Sequence, residues 1–296
     1  MGRVGAARKG VGKQVRQNRI VLLGTGGGPA MEGRPAPGTS ALLDMDGRRI
    51  VIDCGLGVTA ALAGCSVDLA SIDTICVTHL HAGHVLELGP LLHGIWTAGR
   101  LQPVSVWGPA GIEALWRGFL ASLAYDAAIR SHVEERQPLA DLVVVNSHDE
   151  GLVSEGPVSI SALRVPHPPL EHCFALRFDG RQRVTFSGDT AFHVPLAEFA
   201  HGSAVLAHAA VLGDWITEMA ERTGGGKTMR NNLLMAHATV EQAARIARAA
   251  KAKRLVLHHV IPAQDADVPE TEWITRAAGN WAGPVILGQN GMEVVF

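Results

Sequence analysis

The sequence lacks the marks of several large classes of protein. It has no run of 18 or more consecutive apolar residues, which argues against a membrane span. Cysteine is scarce. Cys54, Cys65, Cys76 and Cys173 form no close pair and no C-x-x-C, so they read as reduced core thiols of a cytoplasmic protein and not as a disulfide framework. Charge of one sign is also missing: the formal balance is −2, which gives no reason to expect a nucleic-acid or polyanion partner. Acids are absent from the first 19 residues, which hold Arg3, Arg8, Lys9, Lys13, Arg16 and Arg19. No apolar h-region follows them, so residues 1–18 read as a basic, flexible tail and not as a secretory signal. No trustworthy internal repeat and no long polar linker divides the remainder. With 47% hydrophobic side chains in 296 residues, 19–296 can bury the core of a single α/β domain.

What is present is a mixture of strands and helices. "RIVLLGTGG" (19–27) reads as a buried strand entering a glycine turn, and 39–57 as a hairpin turning at Asp46-Gly47. Further strands are expected over 73–79, 103–109, 141–146, 158–167, 173–180, 183–190 and 254–262. Helical patterns cover 85–99, 111–125 and 239–252. "VILGQNGMEVVF" (285–296) closes the chain with a hairpin signal at Asn290-Gly291. Two glycine-rich stretches imitate nucleotide motifs. In "GTGGGP" Pro29 stands where the third glycine of G-x-G-x-x-G belongs, and in "ERTGGGKT" Glu221 stands where a phosphate loop opens with glycine. Neither is read as a phosphate cradle.

The informative excess is histidine. "ICVTHLHAGHVLEL" (75–88) runs from a strand into His79, His81 and His84. Three other expected strands end in His167, Asp189 and His259. Imidazole and carboxylate are the donors that borderline cations such as Zn²⁺ prefer, and a strand end is a rigid mount beside an open loop. Agreement among four strand ends makes a metal site the best reading of these residues.

At this point the residues carry a family resemblance. "THLHAGH" resembles the T-H-x-H-x-D-H motif of the metallo-β-lactamase superfamily. The likeness continues in order through "VLLGTGGGP", "VIDCGLGV", "VPHPPLEHCFALRFD", "FSGDT" and "LVLHHVIP". "SGDT" and "HATVEQAARIARAA" are similar to the ribonuclease Z and arylsulfatase-like branch. The resemblance implies a four-layer αβ/βα sandwich with metal at one edge of two sheets. It implies a first cation, expected to be Zn²⁺, on His79, His81 and His167, with Asp189 bridging to a second on His84 and His259. His172 competes with His167, and His258 with His259; spacing and motif favour the second member of each pair. Asp53, Thr78 and His258 are expected beside the ligands, with Asp53 orienting an imidazole. Asp189, His84 and His237 are the candidate proton carriers.

Two departures stand out. The family's fourth ligand to the second metal falls at Gly83, so one tightly bound cation is expected and a second is weakened. Where the branch has His-Glu, this chain has His208-Ala209. The resemblance implies a metallohydrolase that uses a zinc-bound hydroxide on a small, aromatic or apolar ester: a sulfate, phosphodiester, carboxylic ester or lactone. The alternatives are hydrolytic dehalogenation of activated aromatics and a degenerate, non-catalytic binding protein. Ribonuclease Z carries its tRNA-gripping arm between the third histidine motif and "SGDT"; here only 21 residues separate His167 from Asp189, which argues against tRNA processing. Trp96, Phe192, His193, Trp215 and Met219 are the candidate pocket lining, and 214–232 is expected to cap the cleft on a glycine hinge. A homodimer is expected by analogy with relatives.

Overall fold

Apolar runs unbroken by polar residues form strands that are covered on both faces. A computed structural model describes residues 17–27, 37–222, 224, 226–263 and 268–296, so most of the basic tail, to Arg16, lies outside the described residues. The strands are β1 (Arg19–Gly24), β2 (Ser40–Met45), β3 (Arg48–Ile52), β4 (Thr74–Cys76), β5 (Val104–Gly108), β6 (Val143–Ser147), β7 (Gly151–Ser154), β8 (Ser159–Arg164), β9 (Phe174–Asp179), β10 (Arg183–Phe186), β11 (Val205–Val211), β12 (Leu255–Ile261), β13 (Val285–Leu287) and β14 (Glu293–Val295). They make two seven-stranded mixed sheets, ordered β14-β1-β2-β3-β4-β5-β6 and β13-β12-β11-β10-β9-β8-β7.

The inner faces meet in one core, where Ile20, Leu22, Leu43 and Ile50 of the first sheet share a cluster with Leu176, Phe178, Phe186 and Val256 of the second. Each outer face is covered by helices over its own apolar cluster. The result is the expected αβ/βα sandwich. The helix Val240–Ala249 shows how the sequence builds an outer layer. Thr239 and Gln242 form a capping box at its start, and Val240, Ala243, Ala244 and Ala247 bury one stripe against the second sheet.

The β2–β3 hairpin turns at Asp46 (φ 50°) and Gly47 (φ 83°), the paired left-handed geometry that an Asp-Gly turn favours. The Asn290-Gly291 signal has a different outcome. β13 pairs in parallel with β12, whereas β14 pairs antiparallel with β1, so this turn crosses between sheets and closes no hairpin. Its side chain explains why: Asn290 Oδ1 accepts from Thr25 N–H at 2.9 Å and from Thr25 Oγ1 at 3.0 Å. No helix among the described residues is long and apolar enough to cross a membrane.

Candidate metal centre

The site forms where strands of both sheets end at one edge. Asp53 follows β3, and His79, His81 and His84 follow β4. His167 follows β8, Asp189 follows β10, and His259 lies within β12. His259 owes its direction to a β-bulge. Ala209 pairs with His258 and Ala210 with Val260, leaving His259 as the extra residue at φ 50°. A bulge of this kind re-aims a side chain. Two adjacent histidines thereby part company. His259 turns to Asp189, while His258 is buried edge-on to Phe186, with ring centroids 5.7 Å apart.

Five imidazoles surround one carboxylate oxygen. Asp189 Oδ2 lies 3.0 Å from His259 Nε2, 3.3 Å from His84 Nε2, 3.6 Å from His237 Nε2, and 3.8 Å from both His79 Nε2 and His167 Nε2. On the far side His81 Nδ1 stands 3.1 Å from His79 Nε2 and 3.1 Å from His167 Nε2. Donors around a tetrahedral zinc with bonds of about 2.0–2.1 Å lie roughly 3.3 Å apart. The two spacings at His81 are close to that value. Three donor groups each fit within 4.8 Å: His79/His81/His167, His79/His84/Asp189 and His167/Asp189/His237. His259 belongs to none of them and meets the cluster through Asp189.

Hydrogen bonds behind the rings set which nitrogen carries its proton. His167 Nδ1 donates to Ala236 O (2.9 Å) and His237 Nδ1 to Leu233 O (3.0 Å). Both carbonyls belong to the last turn of the helix Gly226–Ala236; Ala236 O lies at the end where carbonyls lack intrahelical partners, and Leu233 O also accepts the His237 backbone N–H at 3.0 Å. His84 Nδ1 donates to Asp53 Oδ2 (2.8 Å). Thr78 Oγ1 gives its hydrogen to Asp53 and so accepts from His79 Nδ1 at 3.0 Å. Four rings therefore present Nε2 lone pairs toward one another and toward a carboxylate. Such an arrangement repels itself unless a cation lies between the donors. Asp189 Oδ1 and His84 Nε2 are buried without a hydrogen-bond partner, as atoms kept for a cation would be. The residues fit a divalent metal.

The electrostatics agree. Burial draws the His167 imidazole down to about 4 and holds His79 well below the usual range. Burial would raise Asp189, but the His259 and His84 charges, with help from His237, reverse this and keep it ionised. Burial opposes charge on His84 as well. Asp189 and Asp53, one on each side, more than offset that and hold it up at about 10 when no cation replaces its proton.

Some expected residues fall elsewhere. Trp96 is 1% exposed within the outer core, and its Nε1–H is donated to Gln137 O at 2.9 Å, so it lines no cleft. Phe192 and Trp215 pack against the second sheet's outer core, and the Arg245 guanidinium lies over the Phe192 ring. His193 lines a separate open cleft of about 520 Å³ with Glu150, Leu163, Arg164, Pro166 and Leu170, which includes none of the ligand histidines. Met219 is half-buried on the helix Gly213–Arg222. His258 does not support a ligand: neither ring nitrogen has a hydrogen-bond partner, because its strand position points it into the apolar inner core. His172 bonds Arg164 instead of the cluster. Segment 214–232 is largely two helices, Gly213–Arg222 and Gly226–Ala236, with Gly224 and Gly226 at positive φ between them.

Sequence reasoning also missed two supports. One is the pair of helix-end carbonyls. The other is Gly27, where a Cβ would lie 2.9 Å from His259 Cε1 and 3.0 Å from its Nδ1. The only sequence signal for the second was the glycine run itself.

Comparison with known proteins is consistent with this geometry. A family model described as "Anti-Pycsar protein Apyc1" matches residues 18–224. Ribonuclease Z of Mycobacterium avium (strain 104) is 31% identical over 278 residues, covering 92% of this chain and 95% of that one. Ribonuclease Z of Clostridium tetani is 33% identical over 172 residues, 58% of this chain and 54% of its own length. Among solved structures, the metallo-β-lactamase fold protein YhfI from Bacillus subtilis superposes with TM-score 0.70 at 18% identity, covering 94% of this chain and 99% of that one. Human tRNase Z, short form, superposes with TM-score 0.64 at 20% identity, covering 93% and 98%.

Proposed function

The chain belongs to the family described as Anti-Pycsar protein Apyc1, in the ribonuclease Z-like branch of the metallo-β-lactamase superfamily; it is a metal-dependent hydrolase, and we propose that its substrate is a small phosphodiester. The observation that carries the proposal is the central place of Asp189 Oδ2. It lies between the His79/His81/His167 donors and the His84/His259 donors. A carboxylate so placed suits a bridge between two cations, the arrangement that clamps both oxygens of an in-line displacement at phosphorus. The relatives named ribonuclease Z support the choice of bond, since a ribonuclease cleaves a phosphodiester.

A divalent cation bound here, such as the zinc these donors suit, would lower the pKa of bound water from about 15.7 to roughly 7 and would polarise a phosphoryl oxygen. The chain's own residues do the rest. His79, His81 and His167 would hold one cation, and His84 and His259 would hold the other with Asp189. Asp53 and Thr78 keep the His84 and His79 rings turned with Nε2 inward. Asp189 Oδ1, buried and without a partner, is free to bind a cation beside Oδ2, and the low affinity of this carboxylate for a proton suits it to a ligand more than to a base. His84 has both nitrogens committed, Nδ1–H to Asp53 and Nε2 toward Asp189, and so would act as a ligand and relay no proton in the reaction.

A small substrate is favoured over folded RNA by the β9–β10 connection. Only residues 180–182 join these strands, which leaves no length at that point for a gripping arm. The test is to compare kcat/KM for bis(p-nitrophenyl) phosphate, p-nitrophenyl sulfate, p-nitrophenyl acetate and a precursor tRNA, each with and without a chelator. We expect the small phosphodiester to be turned over fastest, with loss in chelator and recovery on adding zinc. Preference for the sulfate or acetate overturns the phosphodiester reading, and preference for the tRNA overturns the small-substrate reading.

A further inference from the structure

We propose that His237 is a metal ligand whose Nε2 completes the coordination of the cation at Asp189, where Gly83 offers no side chain. The inference rests on the metal centre described above and not on the choice of ester.

Three observations lead to it. The first is tautomer. His237 Nδ1 donates to Leu233 O at 3.0 Å, which leaves a lone pair on Nε2. The second is distance. Nε2 lies 3.6 Å from Asp189 Oδ2, too long for a sound hydrogen bond, yet near the roughly 3.3 Å that separates two donors on one zinc. The third is company. His237 Nε2 lies within 4.8 Å of the ligand atoms of both Asp189 and His167, which places it inside the donor cluster around the shared carboxylate. The His237 ring also lies nearly parallel to that of His259, at 9° and 5.8 Å between centroids, and both rings aim Nε2 at the same carboxylate oxygen.

The surroundings hold His237 in this role. Ala238 N–H donates to Thr190 O at 2.7 Å, which ties the segment directly to the loop carrying Asp189. His237 therefore faces the metal centre with Asp189, the carboxylate with which it would share the cation, as its acidic neighbour. A neutral imidazole replaces the absent ligand atom but not its charge.

The test reads metal directly. Chains with uniformly ¹⁵N-labelled histidine are titrated with zinc, and the His237 Nε2 resonance is assigned by its absence in His237→Gln. Zinc affinity is measured in parallel by chelator competition for the unaltered protein, His237→Gln, Gly83→Asp and the double variant. We expect the His237 Nε2 resonance to move to the metal-coordinated range as the second equivalent binds. We expect His237→Gln to weaken that equivalent at least 10-fold. Gly83→Asp in the His237→Gln background should recover most of the loss. An Nε2 resonance unmoved through two equivalents overturns the proposal even if a variant misfolds. So does a second-equivalent affinity in His237→Gln within twofold of the unaltered protein, or a chain that binds only one cation in excess zinc. Failure to cleave phosphodiesters, with the Nε2 shift intact, would instead count against the proposed substrate.

Discussion

Asp53→Asn is the most searching single substitution, because one carboxylate sets two ligand rings. Asp53 Oδ2 accepts from His84 Nδ1 at 2.8 Å, and Oδ1 accepts from Thr78 N–H at 2.7 Å. The Thr78 hydroxyl donates to the same carboxylate and then accepts from His79 Nδ1. Asparagine keeps the shape and tolerates the φ of 57° at this position, so the fold should survive. Yet an amide has one acceptor oxygen, where this position must accept on both sides. If the oxygen faces Thr78, the NH₂ faces His84 Nδ1 and drives the ring proton to Nε2, where it blocks the cation. If the oxygen faces His84, two donors meet at Thr78. The first arrangement puts a proton where the cation belongs, and the second leaves a buried donor unpaired at a cost of about 1–3 kcal/mol. That corresponds to the 10–100-fold loss of metal affinity typical when a ligand's supporting partner is removed. The assay is zinc affinity by competition with a chromophoric chelator, with circular dichroism to confirm that the metal-free variant is folded. A folded variant whose zinc affinity stays within twofold would refute the tautomer reasoning.

Other substitutions probe the frame around the site. Gly27→Ala should push the His259 ring by several tenths of an ångström and weaken zinc about 10-fold, whereas Gly26→Ala, whose new Cβ meets only Ala263, should not; chelator competition on both compares them. Burial holds His208 down to about 4 in the folded chain against 6.5 unfolded, so the stability it contributes is full above pH 6.5 and is lost as pH falls toward 4. His208→Leu should therefore flatten the fall of Tm between pH 6.5 and 4, a change of at most about 3 kcal/mol, and an unchanged slope would exclude His208 as its source. Trp96→Phe should lower stability in urea by about 1–2 kcal/mol through the lost Gln137 bond and the space left behind, with KM unchanged; a raised KM would return Trp96 to the cleft.

Features set by local chemistry were readable from the chain. The spacing of His79, His81 and His84 places three rings within a turn and a half of backbone after β4, and no other part of the fold is needed to bring them together. The Asp46-Gly47 turn and the Thr239–Gln242 capping box are likewise decided by neighbours in sequence. What escaped depends on partners far along the chain. β11 is "VLAHAAV", rich in alanine and fully buried, and only its place between β10 and β12 makes it a strand. The bulge at His259 exists because β12 slips one residue against β11. The helix carbonyls of Leu233 and Ala236 reach His237 and His167 only in the folded chain. Trp96 was misplaced for a related reason: an aromatic near a metal motif fits a pocket or a core equally well until its indole N–H finds Gln137 O.

Charge gives the departure at position 83 a meaning. Two unit charges about 4 Å apart interact by roughly 4 kcal/mol near a protein surface. An acid at position 83 would lend that attraction to a cation and impose a similar repulsion on an anionic substrate. Gly83 removes both effects. An imidazole donated by His237 would restore the missing ligand atom while leaving the charge out. The centre is then more positive by one unit than one built with the acid. A neutral carboxylic ester gains little from that unit. A phosphodiester, anionic at the start and more so as charge gathers on its oxygens during displacement, gains from it twice. The same substitution that loosens the hold on a cation would thus tighten the hold on a phosphodiester, and His79, His84, His167 and His259 are each held in place by a hydrogen bond, a bulge or a glycine contact. That combination fits a centre retuned toward an anionic ester better than one in decay.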